Sequence, residues 1–448
     1  RFVLIFSFCY FAFVVFAKLG EHQLELFDEA RRGVSTLEMY NGESHPLVPT
    51  YLGGPDHWGT KPPLLIWLQT AATFFFGPGE FAIRLPSPIA TLLAISLMIW
   101  FARRHMGSQV IGLLAGWILL CHWHFVGNHG ARSGDYDALL LLFSLAQVLF
   151  YFHWVRTSNY RFLYFSALAL LAAGWTKGIA GCLFLPGMGI WTLVDEQARR
   201  KLLDWRLYTS FGLALLGIIG YYLIREQIDP GYLSIVWGNE LGGRYLEANE
   251  GHLQPWYHYF ERLLNNRTFG LFAKLSIPAA CLLLLDKGQR STAPLLVIIP
   301  LIFLTVISIS ATKLFWYLVP MLPYLSLVVA WLFYKIGVAL VESIGGQEKL
   351  PAQLGAVILM TTIFYSPCSA IVKKVLNPGK HVGLRKQLVY REAIRNPIFS
   401  PPYTVLTHYY QANVQFYVKE AQLVGRDITH QSIQRVIEPY TSNGHFQV

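Results

Sequence analysis

The chain has 448 residues, of which 54% are hydrophobic, 15% aromatic and only 14% charged. Soluble domains carry about 25% charged residues, so too little polar surface remains to cover a water-soluble globule, and the deficit must face lipid. The net charge of +10, from 36 Lys+Arg against 26 Asp+Glu, fits basic cytoplasmic loops and anionic headgroups, and no basic stripe with interleaved aromatics marks a nucleic-acid surface.

A spanning helix needs about 20 mainly apolar residues. Taken in chain order, the candidate spans are 2–19, 85–102, 109–126, 138–155, 162–176, 178–194, 207–224, 269–285, 294–311, 314–334 and 353–372. The first has no small-residue cleavage site behind it and reads as a retained helix rather than a signal peptide. A shorter run, Pro63 to Gly77, follows a Pro-Pro pair. Connections rich in Lys and Arg orient the set: Arg103-Arg104-His105, Arg156 to Arg161, Arg199-Arg200-Lys201, Lys287 to Arg290 and Lys335 to Lys349. With these inside, the passes alternate from an inner N-terminus to an outer C-terminus. That parity requires 63–77 not to cross, so it is expected as an interfacial helix on the outer face.

The expected division is a membrane domain over 1–372, with outer loops 20–62, 127–137 and 225–268, and a small outer domain over 373–448. The tail carries alternating stretches, Tyr403 to His408 and Asn413 to Val418, and reads as a small α/β appendage. The five cysteines form no CxxC pair and imply neither a disulfide framework nor a zinc cluster.

The outer segments hold the chemically useful side chains. Loop 20–62 opens on Phe27-Asp28-Glu29-Ala30-Arg31-Arg32. Acids in a first helical turn are favoured by the helix dipole, and the same residues can serve chemistry at a membrane surface. The loop ends in Lys61-Pro62-Pro63, where a lysine binds headgroups or, as a compact charge, holds a phosphate. Asp137 opens the fourth span, either as an N-cap or as a buried carboxylate kept for a purpose. Loop 225–268 carries Glu240, Arg244 and Tyr245, then His252, Trp256, Tyr257 and His258. Aromatics of this density suit an interfacial belt or stacking against a sugar ring. Lys313 and Tyr317 stand at i and i+4, which on an α-helix shares one face. Both can donate to a phosphate, and snorkelling belt residues look the same.

In this order and on one face of the membrane, these pieces resemble the GT-C glycosyltransferases. In particular they look like the bacterial lipid A aminoarabinose transferases, which are akin to protein O-mannosyltransferases. The likeness is carried by Asp28-Glu29-Ala-Arg31, Lys61-Pro62-Pro63-Leu-Leu-Ile-Trp67-Leu-Gln69 and Phe81-Ala-Ile-Arg84-Leu-Pro86-Ser87. Thr176-Lys177-Gly178 and Lys313-Leu-Phe-Trp-Tyr317-Leu-Val-Pro320 continue it, so it covers residues 24 to 325. One departure stands out: relatives carry Glu before the lysine of Lys-Pro-Pro, and here the residue is Thr60.

The resemblance implies an all-α polytopic membrane fold of the GT-C type, with outer juxtamembrane helices. It also implies transfer of a sugar from a polyprenyl-phosphate donor to a hydroxyl or phosphate of lipid A, a glycan or a protein. The active site is expected on the periplasmic side of a bacterial inner membrane, and a single base implies inversion at the anomeric carbon. By resemblance Asp28 is the base or acceptor-orienting group and Asp137 the second acid. Lys61 and Tyr317 engage the donor phosphate, assisted by Lys313 and Arg31. Glu29, Glu240, Arg244, Tyr245, His252, Trp256 and Tyr257 contribute to a lid over sugar and acceptor. No divalent metal is expected to be required. The family pair suspected of holding one is the Glu before Lys-Pro-Pro with a long-loop histidine, and Thr60 breaks it. A transporter or a non-catalytic membrane subunit is the alternative. Against transport, no charged residue stands in the middle of a span; against a degenerate relative, both Asp28 and Asp137 are retained.

Overall fold

The computed structural model describes residues 2–127, 129–246, 254–343, 350–377, 382–396, 398, 401–407 and 410–432. In chain order the elements begin with α1 (Phe2–Phe16), α2 (Asp28–Tyr40), β1 (Thr50–Tyr51), β2 (Gly54–Pro55), α3 (Leu64–Phe76), α4 (Glu80–Arg84) and α5 (Pro86–His105). There follow α6 (Gln109–Leu120), α7 (Trp123–Val126), α8 (Asp137–Thr157), α9 (Tyr160–Lys177), α10 (Leu185–Val194), α11 (Glu196–Lys201) and α12 (Trp205–Ile228). Next come α13 (Tyr232–Val236), α14 (His258–Leu264), α15 (Gly270–Leu285), α16 (Ala293–Ile309), α17 (Leu322–Ser343) and α18 (Leu350–Leu376). The chain closes with α19 (Val382–Arg395), β3 (Tyr403–Thr407), α20 (Ala412–Leu423) and β4 (Ile428–Ser432).

These elements divide into two compact units. The first comprises Arg1–Ala17, His57–Leu64 and Ser87–Leu376, and the second Lys18–Asp56, Leu65–Pro86 and Asn377–Val448.

The first unit is the membrane bundle, and each expected pass corresponds to one of its helices: α1, α5, α6, α8, α9, α10, α12, α15, α16, α17 and α18. Among the described residues five helical runs are long and apolar enough to cross a bilayer unaided, including Asp137–Thr157 and Trp205–Ile228. The chain is thus an integral membrane protein. α8 runs through the centre, with 83% of its apolar stretch buried, whereas α12 is peripheral at 22%. Leu213, Leu216, Ile219 and Leu223 of α12 face outward accordingly, as side chains in lipid do. Helix starts on the basic side are capped: Asn159 accepts from Arg161 N at 3.1 Å, and Asp204 from Arg206 N at 3.1 Å. These side chains satisfy amide donors that a helix start leaves open. Gly116 lets three helices approach: a Cβ there would lie 2.8 Å from Ile95 Cγ2 and 3.0 Å from Phe11 Cζ.

The second unit is built from distant parts of the chain. Leu24, Ala30, Val34 and Leu37 share a core with Val414, Phe416, Tyr417, Val418 and Ala421 of α20. β3 and β4 pair in parallel from Tyr403↔Ile428 to Thr407↔Ser432, with α20 as their crossover. The alternating stretch Asn413 to Val418 is therefore helical rather than a strand, and Val414, Tyr417, Val418 and Ala421 recur at helical spacing on its buried side. The tail is not a core of its own, since one crossover and two strands cover too little apolar surface to fold alone. Instead it completes a core with loop 20–56. α3 contributes Leu65–Phe76 to this unit. At 13 residues it measures about 20 Å, short of a roughly 30 Å hydrocarbon layer, and Phe74, Phe75 and Phe76 are exposed.

Candidate active site

In the first unit, the irregular segment before α3 presents Thr60 and Lys61 to the long loop. Thr60 Oγ1 donates to Glu240 Oε1 at 2.6 Å, and Lys61 Nζ meets the same carboxylate oxygen. Both members of the lysine–glutamate pair are largely shielded, at 11% and 13% exposure. Glu240 belongs to a π-helical stretch, Trp237–Leu246. A carboxylate therefore does stand beside the Lys-Pro-Pro lysine, supplied from 179 residues away in the chain.

Asp137 is the first residue of α8 and is buried. It does not cap: Tyr136 occupies the cap position without a side-chain bond. Instead Asp137 Oδ1 accepts from Lys177 Nζ at 2.6 Å. Its other oxygen has no hydrogen-bond partner among the described residues. The Lys177 ammonium also lies 5.7 Å from the centre of the Tyr317 ring. Lys177 closes α9, and Gly178 after it adopts φ +59°; a Cβ there would fall 3.9 Å from Pro62 Cδ. The Lys61 segment and the Asp137–Lys177 pair are thus neighbours in one unit.

The turn 127–137 is pinned to its surroundings. His129 pairs with Asp135, and Asp135 Oδ1 accepts from Tyr136 N at 2.6 Å. The His129 ring stacks on Trp316 at 4.1 Å. Arg132 donates to the Val14 and Ala17 carbonyls at 2.7 and 2.6 Å, as a basic side chain at a helix C-terminus does.

Lys313 and Tyr317 are not one helical turn apart. Leu314 is extended, and Phe315–Met321 is a 3-10 helix containing Pro320. Pro320 lacks the amide donor an α-helix needs there, so the shared-face argument fails at this point. Lys313 turns back instead, donating to the Ser310 carbonyl at 2.6 Å. Burial pushes its ammonium below the usual lysine range. Trp256 and Tyr257 are 69% and 48% exposed, which suits belt or lid. His252 lies outside the described residues, as do the side chains of Arg244 and Tyr245 within the π-helical stretch.

In the second unit, Asp28 begins α2 with its side chain 36% exposed and Arg32 at 3.5 Å. Glu29, expected at the lid, is buried. Arg84 grips it with two bonds of 2.7 and 2.8 Å, and the same guanidinium donates to the carbonyls of Leu19, His22 and Gln23. Arg31 donates to Asp56 at 2.6 Å, lies 3.9 Å over the Tyr51 ring and reaches Tyr410 Oη at 3.3 Å. Burial opposes its charge, but the Asp56 bonds hold its pKa above the ordinary value. Both residues are engaged by partners within the second unit. Sequence reasoning missed Lys177 as the partner of Asp137, although Thr176-Lys177-Gly178 had marked it as part of a motif.

Comparison with known proteins places this architecture. Solved membrane-protein structures share its fold. The crystal structure of ArnT from Cupriavidus metallidurans bound to undecaprenyl phosphate matches with a TM-score of 0.71 and 17% identity, over 98% of this chain and 91% of that one. The Archaeoglobus fulgidus oligosaccharyltransferase in the apo form matches at 0.59 and 12% identity, over 93% and 63%. Residues 60–222 match the family described as dolichyl-phosphate-mannose-protein mannosyltransferase. Among curated relatives, undecaprenyl phosphate-alpha-4-amino-4-deoxy-L-arabinose arabinosyl transferase of Edwardsiella ictaluri is 27% identical over 53% of this chain and 43% of its own length. The protein of the same name from Pseudomonas savastanoi is 26% identical over 70% and 57%. This chain thus spans about half the length of the curated relatives it matches. The likeness to the aminoarabinose transferases read from the motifs is met in both sequence and fold.

Proposed function

We propose that this chain is a glycosyltransferase that takes a sugar from a polyprenyl-phosphate donor and passes it to a hydroxyl or phosphate of lipid A, a glycan or a protein. The observation that carries this reading is the pair of shielded lysine–carboxylate contacts, Lys61–Glu240 and Lys177–Asp137, with Tyr317 beside Lys177. Displacement at an anomeric carbon leaves charge on the departing phosphate, and cations held in a shielded site stabilise it strongly. Lys61, with Tyr317 and Lys313, is assigned to that phosphate. A positioned base near the acceptor typically contributes about 10²–10⁴-fold, and the first-loop motif assigns that role to Asp28, with Asp137 as the second acid. A single base and direct attack give inversion. The relatives named for undecaprenyl-phosphate aminoarabinose support a lipid-linked donor. The test is transfer by the purified full-length chain from undecaprenyl-phosphate sugars, alongside mass spectrometry of lipid A, surface glycan and exported proteins from a deletion strain. An unchanged profile in all three pools, with no transfer in vitro, would remove the assignment.

Transfer is read as independent of a divalent metal. Glu240 already accepts from Thr60 and pairs with Lys61, and the lysines supply positive charge toward the leaving phosphate. Exhaustive chelation is expected to leave activity within about twofold, since no ligated charge would be lost. Loss on chelation, restored by zinc, manganese or magnesium added singly, would overturn this.

The site is assigned to the periplasmic face of an inner membrane. In intact cells a cysteine at Leu203, 92% exposed beside the basic α11, is expected to resist an impermeant thiol reagent. One at Asn265, in the exposed turn between α14 and α15, is expected to react. The reverse pattern would invert the bundle and put the site inside.

A further inference from the structure

Arg225 is wholly buried one turn from the end of α12, although α12 is the most lipid-exposed of the long spans. A buried guanidinium near a bilayer is costly without partners, and its partners lead toward the lysine segments. Arg225 donates to Tyr221 Oη at 3.0 Å, and its guanidinium carbon lies 3.9 Å over the Tyr232 ring. Asp229 stands 3.7 Å from Arg225. Glu226 closes the turn between them by accepting from Gly231 N at 2.9 Å and Leu233 N at 2.6 Å. Gly231 there takes φ +94°, a conformation that costs glycine little.

Two struts run from this cluster to the Lys61 segment. Tyr232 Oη donates to the Thr60 carbonyl at 2.8 Å, fixing the residue before Lys61. Asp229 pairs with His57 Nε2 at 3.0 and 3.1 Å, fixing the start of the same segment. A third contact runs to the other lysine. Tyr222 stacks on Tyr232 with ring centres 6.0 Å apart. Its hydroxyl lies where a Cβ on Gly178 would come within 2.3 Å, so it seats the backbone next to Lys177. Mere capping of α12 would require none of the contacts to residues 57, 60 and 178.

We propose that Arg225 is a positioning residue for transfer, acting through Tyr232, Asp229 and Tyr222 to set Lys61 and Lys177 at one spacing. The proposal rests on the assignment of Lys61 to the donor phosphate, and the experiment separates the two. Purified full-length chain in detergent is titrated with undecaprenyl phosphate, and thermal midpoints are read on the lipid-free protein. Tyr232→Phe deletes one hydroxyl and keeps the ring, so folding is expected to survive. It is expected to weaken lipid binding about fivefold, the scale of one lost hydrogen bond. Arg225→Gln is expected to weaken it further, and Arg225→Lys to recover part of the loss. The decisive arm is the cycle with Lys61→Ala. If Tyr232 acts through Lys61, the double variant binds no worse than Lys61→Ala alone. Additive losses, or a lowered midpoint with unchanged affinity, would show an ordinary structural role and overturn the proposal. Unchanged affinity in Lys61→Ala itself would instead remove the phosphate assignment beneath it.

Discussion

Lys177→Met is expected to abolish transfer and to destabilise the membrane unit by about 3–5 kcal/mol, the cost of stranding one partner of a buried ion pair. Asp137 is 1% exposed and its charged neighbour is Lys177, so removing the ammonium leaves a carboxylate in an apolar helix end. Water cannot replace the lysine at little cost, because α8 is the most enclosed of the five long spans among the described residues. The double variant Asp137→Asn with Lys177→Met removes both charges together and is expected to regain most of the stability but no activity. Thermal unfolding in detergent, paired with the transfer assay, reads both. A single Lys177→Met protein as stable as wild type would mean that the pair does not carry opposite charges in the folded state.

Asp28→Asn should behave in the opposite way. Its carboxylate is a third exposed and its ion partner, Arg32 at 3.5 Å, is of a kind worth about 0.3–0.5 kcal/mol. Asparagine also remains acceptable at a helix start. Stability is therefore expected to change by less than about 0.5 kcal/mol. Turnover, by contrast, is expected to fall by about 10²–10⁴, since an amide keeps the shape but cannot take a proton. Undecaprenyl phosphate binding is expected to stay near normal, because that role is the one proposed for Lys61. Retention of more than about a tenth of wild-type turnover would be too small a loss for a base and would move that role to another residue.

The membrane helices were legible in the sequence because lipid enforces a simple rule of length and apolarity, and every expected pass has its helix. The site was legible only where its residues sit in recognisable runs. Asp137 read equally well as a cap because its partner, Lys177, stands 40 residues on; no local pattern announces such a pair. Lys313 and Tyr317 misled because the i, i+4 argument assumes an α-helix, and Pro320 lies inside the 3-10 turn that takes its place. Glu29 looked available for substrate because nothing near it in sequence shows that Arg84 has claimed both its oxygens. The tail misled in a different way: Asn413 to Val418 alternates like a strand over six residues. Only the longer register through Ala421 favours a helix, and one turn is too short a window to tell the two periods apart.

The second unit's divided origin sets an order of events during synthesis. Leu24, Ala30, Val34 and Leu37 leave the ribosome early, but Phe416, Tyr417 and Ala421, which cover them, follow nearly four hundred residues later. At about 5–20 residues per second, that apolar face waits from roughly twenty seconds to more than a minute. Throughout this interval ten membrane helices are still being inserted around it. The face must be shielded meanwhile, by the bilayer surface or by a chaperone. A stop codon late in the gene would then harm the beginning of the chain as much as its end, because the earliest loop would lose its cover permanently.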